Sequence, residues 1–355
     1  MKVAIDILTP KQCMFFSKLS ANLENRGHKV IKTTRKYREV NQLLEMKGME
    51  AKIVGEHGGV DLAEKLKASV KRILELTNVL DEFKPDVAVS FSSPEMARTA
   101  FGLGIPHVCV NDSPHAEAVA KLTVPLSAKL LTPKIIQKNA WTKYGISPQK
   151  IILYNALDPW VWLKDFRSDP QIISQLGLDR SKPIMTFRTE EALASYLLGR
   201  GKVESTVIPL IKGILEKRSD VQVVVVPRYE NQKKPFVELF GDKITICESV
   251  VDGQSLLSFS SAFVGGGGTM TTESVLLFVP TFSCYPTKPF LVLKYLVENK
   301  LVTLEKNPNT LLEKMCATLD NLDAAKKAQA KRVQKMVKGF EDPIDVIVKE
   351  IEKFG

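Results

Sequence analysis

The sequence predicts an α/β protein made of two doubly wound, parallel-sheet domains with a cleft between them. Three observations predict it. Short β-branched runs alternate with helical stretches in both halves of the chain, as in parallel sheets covered on both faces. The alternation breaks once, at Leu157–Ser168 (LDPWVWLKDFRS), and then restarts. Four consecutive glycines, Gly265–Gly268, lie late in the chain between an apolar strand and a segment with helical spacing.

In the first half the strands are expected at Lys2–Leu8, Lys29–Thr33, Ala51–Val54, Asp86–Phe91, His107–Val110, Lys129–Leu131 and Ile151–Tyr154. Phe15, Leu19 and Leu23 recur at helical spacing, and Arg26-Gly27 ends that helix with a C-cap glycine. Leu62, Leu66, Val70, Ile73, Leu74 and Leu80 predict a longer helix before Pro85. Leu157–Ser168 has a proline, two tryptophans and no clear period, and reads as the interdomain connection. Strands then follow at Pro183–Arg188, Val221–Pro227, Lys243–Cys247, Ala262–Val264 and Thr281–Ser283. Asn309–Lys338 is helical, and Ile344–Phe354 forms a last amphipathic helix. The expected division is residues 1–160, 169–338 and a terminal helix at 339–355.

Bulk properties narrow the function class. The chain has 355 residues, with 44% hydrophobic and 25% charged, ordinary values for a globular protein. It has no apolar run long enough to span a bilayer, and the chain opens on a strand rather than a charged-then-apolar leader, so the cytoplasm is the expected location. The cysteines (Cys13, Cys109, Cys247, Cys284, Cys316) form no CxxC, and the histidines have no metal-binding spacing. No metal and no cofactor is expected. The formal net charge is +10, with a dense patch at Lys326, Lys327, Lys331, Arg332, Lys335 and Lys338. That patch reads first as a solvated helix face and second as a surface for an acidic partner. The partners in view are a nucleotide sugar or an anionic membrane surface. Nucleic acid is disfavoured because no recognition motif accompanies the charge.

The segment SAFVGGGGTMTTE (261–273) carries the clearest chemistry. Glycines let a ligand approach the backbone, and the following helix start supplies N–H groups and the positive end of its dipole. Together these make a phosphate or diphosphate site; the plainer reading is a tight turn. The loop lacks the Gly-Lys-Ser/Thr ending of a P-loop, and the first strand runs into Thr9-Pro10-Lys11-Gln12 with no glycine. Neither an ATPase nor an NAD enzyme is the natural reading.

Ligands of doubly wound sheets bind beyond the carboxyl ends of the strands. The loops to watch are therefore 9–12, 91–95, 111–117, 188–191, 227–231, 248–252 and 265–269. Arg188 suits a diphosphate, and Glu190 and Glu191 suit a sugar, a base edge or a metal. Arg228 and Glu230 occupy the matching position one strand on. Ser92, Ser93 and Glu95 close a strand of the first domain. His115, in NDSPHAEA with Glu117, suits a general base, while Asn111–Pro114 can equally be helix capping. Glu273 lies one turn into the helix after Gly265, Gly266, Gly267, Gly268, Thr269 and Met270, where a carboxylate near a helix start favours the dipole.

Taken together, these halves, the late glycine loop and Glu273 resemble the GT-B superfamily of Rossmann-like proteins. That group includes nucleotide-sugar glycosyltransferases and UDP-N-acetylglucosamine 2-epimerases. Three segments are similar to domain-of-unknown-function family 354: MKVAIDILTPKQCMFFSKLSANLENRGHKV, VNDSPHAEAVAKLTVPLSAKLLTP (110–133) and VGGGGTMTTESVLLFVPTF (264–282). The resemblance implies that Glu273 binds the ribose hydroxyls, that the second domain takes a UDP-type sugar and that the first takes the acceptor. It also implies that the terminal helix packs back on the first domain and that catalysis needs no metal. His115 and Glu117 loosely resemble the His-Val-Glu-Ala-Gly motif of the epimerases, without its Gly-Leu-Arg continuation. Family members often carry His-Pro in the first loop, where this chain has Thr9-Pro10-Lys11-Gln12, so the resemblance implies either other chemistry or another residue in that role, such as His115.

Three functions follow. The first is a glycosyltransferase-like enzyme, its acceptor left open, a lipid-linked one included. The second is a nucleotide-sugar 2-epimerase drawing on Glu95, Glu117, Glu190 and His115. The third is a non-catalytic nucleotide-sugar-binding protein.

Overall fold

A computed structural model describes residues 1–190, 205–248 and 251–355, apart from the side chains of Arg38 and Asn231. It divides into two compact units: Met1–Trp162 with Glu341–Gly355, and Leu163–Phe340.

The first unit holds a seven-stranded parallel sheet. Its strands are β1 (Lys2–Ile7), β2 (Lys29–Lys36), β3 (Lys52–Glu56), β4 (Val87–Ser90), β5 (His107–Val110), β6 (Lys129–Pro133) and β7 (Ile151–Tyr154). They lie in the order β3-β2-β1-β4-β5-β6-β7. The second unit holds six parallel strands: β8 (Ile184–Arg188), β9 (Gln222–Val226), β10 (Thr245–Ile246), β11 (Ala262–Gly265), β12 (Thr281–Ser283) and β13 (Thr303–Leu304). Their order is β10-β9-β8-β11-β12-β13. In each sheet the winding reverses beside the first strand, between β1 and β4 and between β8 and β11. Such a reversal opens the crevice in which doubly wound sheets bind ligands.

Continuous apolar strands form the two cores. Val3, Ile5 and Ile7 of β1 are fully buried, and Phe15, Phe16 and Phe91 pack edge to face near its end. In the second unit, Met185, Phe187, Val223, Val225, Val264 and Phe282 belong to one buried cluster. The helix Pro10–Asn25 starts as its sequence dictates, with the Thr9 side chain accepting from the Gln12 N–H and proline in the first turn. It ends at Gly27, whose φ of +83° lets His28 N–H reach the Leu23 carbonyl at 3.1 Å. The helix Pro343–Ile351 belongs to the first unit and packs against Pro10–Asn25.

The structure corrects several expectations. The helix Leu62–Phe83 forms, but Leu62, Leu66, Val70 and Leu74 are exposed, and it is Arg72, Leu76, Val79 and Leu80 that face inward. An apolar stripe marks a helix without saying which side the sheet lies on. Lys243 closes a short 3-10 turn, so β10 is only Thr245–Ile246. The tail breaks at Asn321 into helices Pro308–Asp320 and Leu322–Val337. β13, two residues long, gave no periodic signal. Asn111–Pro114 does not cap the next helix, which starts at Glu117 with Ala116 before it.

Candidate functional site

The glycine run sits at the winding reversal of the second sheet. β11 ends at Gly265, and Gly267 and Gly268 have φ of +89° and +93°, a region that L side chains avoid. Gly268 is the N-cap of the helix Thr269–Leu276, and no side chain caps the first turn. A Cβ at Gly268 would meet nothing within 4 Å among the described residues. A Cβ at Gly266 would lie 3.4 Å from Glu190 Cγ, and one at Gly267 would lie 3.0 Å from the Phe290 ring. The buried Thr271 hydroxyl has no hydrogen-bond partner among the described residues. With no acidic residue in the first turn, the helix start keeps its positive character. Met270 packs against the apolar clusters on either side of its helix.

Glu273 lies one turn further along and is 4% exposed. Gln254 Nε2 donates to its Oε1 at 2.7 Å. A glutamate that only answered the helix dipole would sit in the exposed first turn; this one is buried and held.

The neighbouring strand ends are tied together. Arg188, the last residue of β8, donates to the Pro227 carbonyl at 2.9 Å. Glu190 accepts from Ser205 Oγ at 2.9 Å, from the Thr206 N–H at 2.5 Å and from the Thr206 hydroxyl. Gln232, absent from the sequence reading, organises the corner. Its Oε1 accepts from Thr189 Oγ1 at 2.7 Å and from the Arg228 N–H at 2.9 Å, while its Nε2 donates to the Glu190 carbonyl at 3.0 Å. Glu230 faces solvent and pairs with Lys233 at 2.9 Å. Glu191 lies outside the described residues, as do residues 249 and 250 of the loop 248–252.

In the first unit, Lys11 is the centre of a partly buried cluster. Its Nζ lies 2.5 Å from Asp112 Oδ2, 2.6 Å from Asp158 Oδ2 and 4.2 Å from the centre of the Phe91 ring. Tyr154 donates its hydroxyl to Asp158. Burial works against the charge on Asp112, but Lys11 outweighs it and holds that carboxyl below its ordinary range. Burial and the Asp112 charge push Asp158 up to about 6 against the pull of Lys11. His115 belongs to the same field: burial, with help from Lys11, lowers its pKa, and Asp112 opposes. It is therefore neutral at pH 7 and able to accept a proton.

The other candidates of the first unit have partners of their own. Ser92 has φ of +57°, and Ser93 caps the helix Pro94–Gly102. Glu95 is buried, 3.8 Å from Arg72 and within 3.4 Å of the Ser93 hydroxyl. Arg72 in turn grips Asp6 with N–H bonds of 2.6 and 3.0 Å. Glu117 is exposed and pairs with Lys121 at 2.7 Å. Among the described residues no three or more His, Cys, Asp or Glu side chains are grouped to hold a metal ion. No helix among them is long and apolar enough to cross a membrane.

Comparison with known proteins places this geometry. The fold is the two-domain, Rossmann-like GT-B fold. UDP-N-acetylglucosamine 2-epimerase from Neisseria meningitidis, bound to UDP-GlcNAc, matches 99% of this chain and 100% of its own, with a TM-score of 0.74 and 18% identity. The UDP-GlcNAc 2-epimerase from Methanocaldococcus jannaschii, in complex with UDP-GlcNAc and UDP, matches 100% of both chains at 0.68 and 18%. A spinosyn rhamnosyltransferase complexed with spinosyn aglycone matches 99% of this chain and 100% of its own at 0.66 and 13%.

The chain belongs to the family described as protein of unknown function DUF354, whose model matches residues 1–354. An uncharacterised protein of Methanocaldococcus jannaschii is 32% identical over 301 residues, covering 83% of this chain and 85% of that protein.

Proposed function

We propose that the second unit binds a nucleotide-diphosphate sugar and that the protein transfers the sugar to an acceptor hydroxyl held by the first unit. The observation that carries this reading is the helix start at Gly268, which no side chain caps among the described residues, on the winding reversal of the second sheet. The diphosphate would accept N–H bonds from residues 266–270, and Glu273 would accept from the ribose diol. Arg188 and Arg228 are the nearby cations for charge that grows on the leaving diphosphate. In transfer, the acceptor oxygen bonds to the anomeric carbon, the bond from that carbon to the diphosphate breaks, and the acceptor proton passes to a base. His115, neutral at pH 7 and close to Asp112 and Lys11, is the base proposed.

A second reading, 2-epimerisation, is favoured by the likeness to the UDP-GlcNAc 2-epimerases. It needs carboxylates beside the sugar. Glu190 is engaged by Ser205 and Thr206, Glu95 by Arg72 and Ser93, and Glu117 by Lys121. Those engagements favour transfer. Incubation with a panel of nucleotide sugars separates the readings: free nucleotide supports transfer or hydrolysis, an isomerised sugar supports epimerisation, and binding without product supports a non-catalytic role.

A further inference from the structure

A second constellation lies in the first unit at the carboxyl ends of β2 and β3, away from Lys11 and His115 in the fold order. Arg35, the penultimate residue of β2, is partly buried, and its Nε is shut off from solvent with no hydrogen-bond partner among the described residues. Arg35 donates to no acceptor among the described residues. An arginine is permanently charged and carries five N–H donors, so an Nε–H shut off from water without an acceptor is costly unless something else fills the place.

A second donor lies beside it. The end of β3 and the loop after it, Gly55-Glu56-His57-Gly58-Gly59, bring His57 close to Arg35. His57 stacks on Tyr37 with ring centres 5.0 Å apart and 22° between planes, and Arg35 lies 5.9 Å from the Tyr37 ring. Gly59 N–H donates to His57 Nδ1 at 3.0 Å, which leaves the ring proton on Nε2 as a donor. Burial, together with Arg35 and Lys65, lowers the His57 pKa to about 4, so the ring is a neutral donor. The carboxylates that Arg35 feels, Asp6 and Glu95, are both held by Arg72.

The loop is built to hold this shape. A Cβ at Gly58 would fall 2.5 Å from Lys65 Cα, and one at Gly55, where φ is +69°, would fall 3.0 Å from Arg72. Only glycine lets the loop lie flat on the helix Leu62–Phe83 and set His57 against Tyr37.

We propose that Arg35 and His57 form an oxyanion-binding subsite in the first unit, taking the carboxylate or phosphate monoester of a small molecule. The planar guanidinium offers Nε–H and a terminal N–H side by side, and His57 Nε2–H adds a third, neutral donor. The subsite stands whether or not the second unit takes a nucleotide sugar.

The test follows the His57 ring resonances of the full chain at pH 7 and constant ionic strength, with the signal assigned through His57→Gln. Inorganic phosphate is titrated in one arm and acetate in the other. The expected result is a saturable shift at His57 that Arg35→Gln abolishes and Gly266→Val retains. Saturation at a tenfold lower concentration of phosphate assigns a phosphate monoester; the reverse order assigns a carboxylate. Should Arg35→Gln fail to fold, Arg35→Lys decides, with saturation at least tenfold weaker. No saturable shift with either anion, or the same shift in the Arg35 variant, would overturn the proposal.

Discussion

Gln254 Nε2 donates a 2.7 Å hydrogen bond to Glu273 Oε1, and this fixes a buried carboxylate one turn beyond the glycine loop. If Glu273 receives the ribose diol, Glu273→Ala should weaken nucleotide binding by about tenfold or more, since bonds to a charged acceptor are lost. Gln254→Ala should weaken it less, because the carboxylate stays but is no longer oriented. Calorimetric titration of both variants checks the order; equal, wild-type affinities would remove Glu273 from the site.

The glycines of the loop should not respond alike. At Gly266 an added Cβ meets Glu190 at ordinary contact distance, so Gly266→Val should lose nucleotide affinity with little change in melting temperature. At Gly267 the positive φ and the Phe290 ring oppose any side chain, so Gly267→Val should also destabilise the fold, by about 1–3 kcal/mol for the backbone alone. Paired thermal melts and binding curves separate the two effects.

The candidate base of the first unit can be separated from its scaffolding. His115→Ala should lower turnover about a hundredfold or more and leave nucleotide affinity nearly unchanged. Lys11→Met should instead cost stability, on the order of 3 kcal/mol, because it leaves Asp158 buried and Asp112 partly buried without their cation. Glu117→Ala removes an exposed, solvent-screened pair and should leave the melting temperature nearly unchanged. Turnover lost in that variant would therefore report on the chemistry.

Much of this architecture is legible in the sequence. β5, β7 and β12 match their expected bounds because each is a β-branched or apolar run flanked by clear breaks. The glycine loop is legible because φ of +89° and +93° demands residues without side chains. Lys11 with Asp158, Gln232 with Thr189, and Arg35 with His57 were not. Each pair joins different strand ends, and only the order of the strands brings them together. The inward side of the helix Leu62–Phe83 was missed for the same reason: Arg72 is buried because Asp6 awaits it on β1.

His107 gives the fold an acid limit. It is buried between Ser90 and Ser127, at 2.9 Å from each hydroxyl, and burial lowers its pKa from 6.5 to about 4. Its native pKa lies below the unfolded one, so the unfolded chain binds the extra proton first. The contribution is fully present above pH 6.5 and is lost as pH falls from 6.5 to about 4, amounting to roughly 3 kcal/mol. Chemical denaturation at pH 7.5 and pH 4.5 should show this loss in the wild type and a smaller one in His107→Gln. An equal loss in both would assign the acid sensitivity elsewhere.

The central claim is that the glycine loop holds the diphosphate of a nucleotide sugar. Isothermal titration of the full chain with UDP and UDP-GlcNAc, repeated with Gly266→Val, tests it most directly. The account predicts one saturable site in the wild type, with the corresponding rise in thermal stability, and no measurable binding in the folded variant. Equal affinity in both proteins would contradict it, and so would the absence of binding by any nucleotide diphosphate or nucleotide sugar.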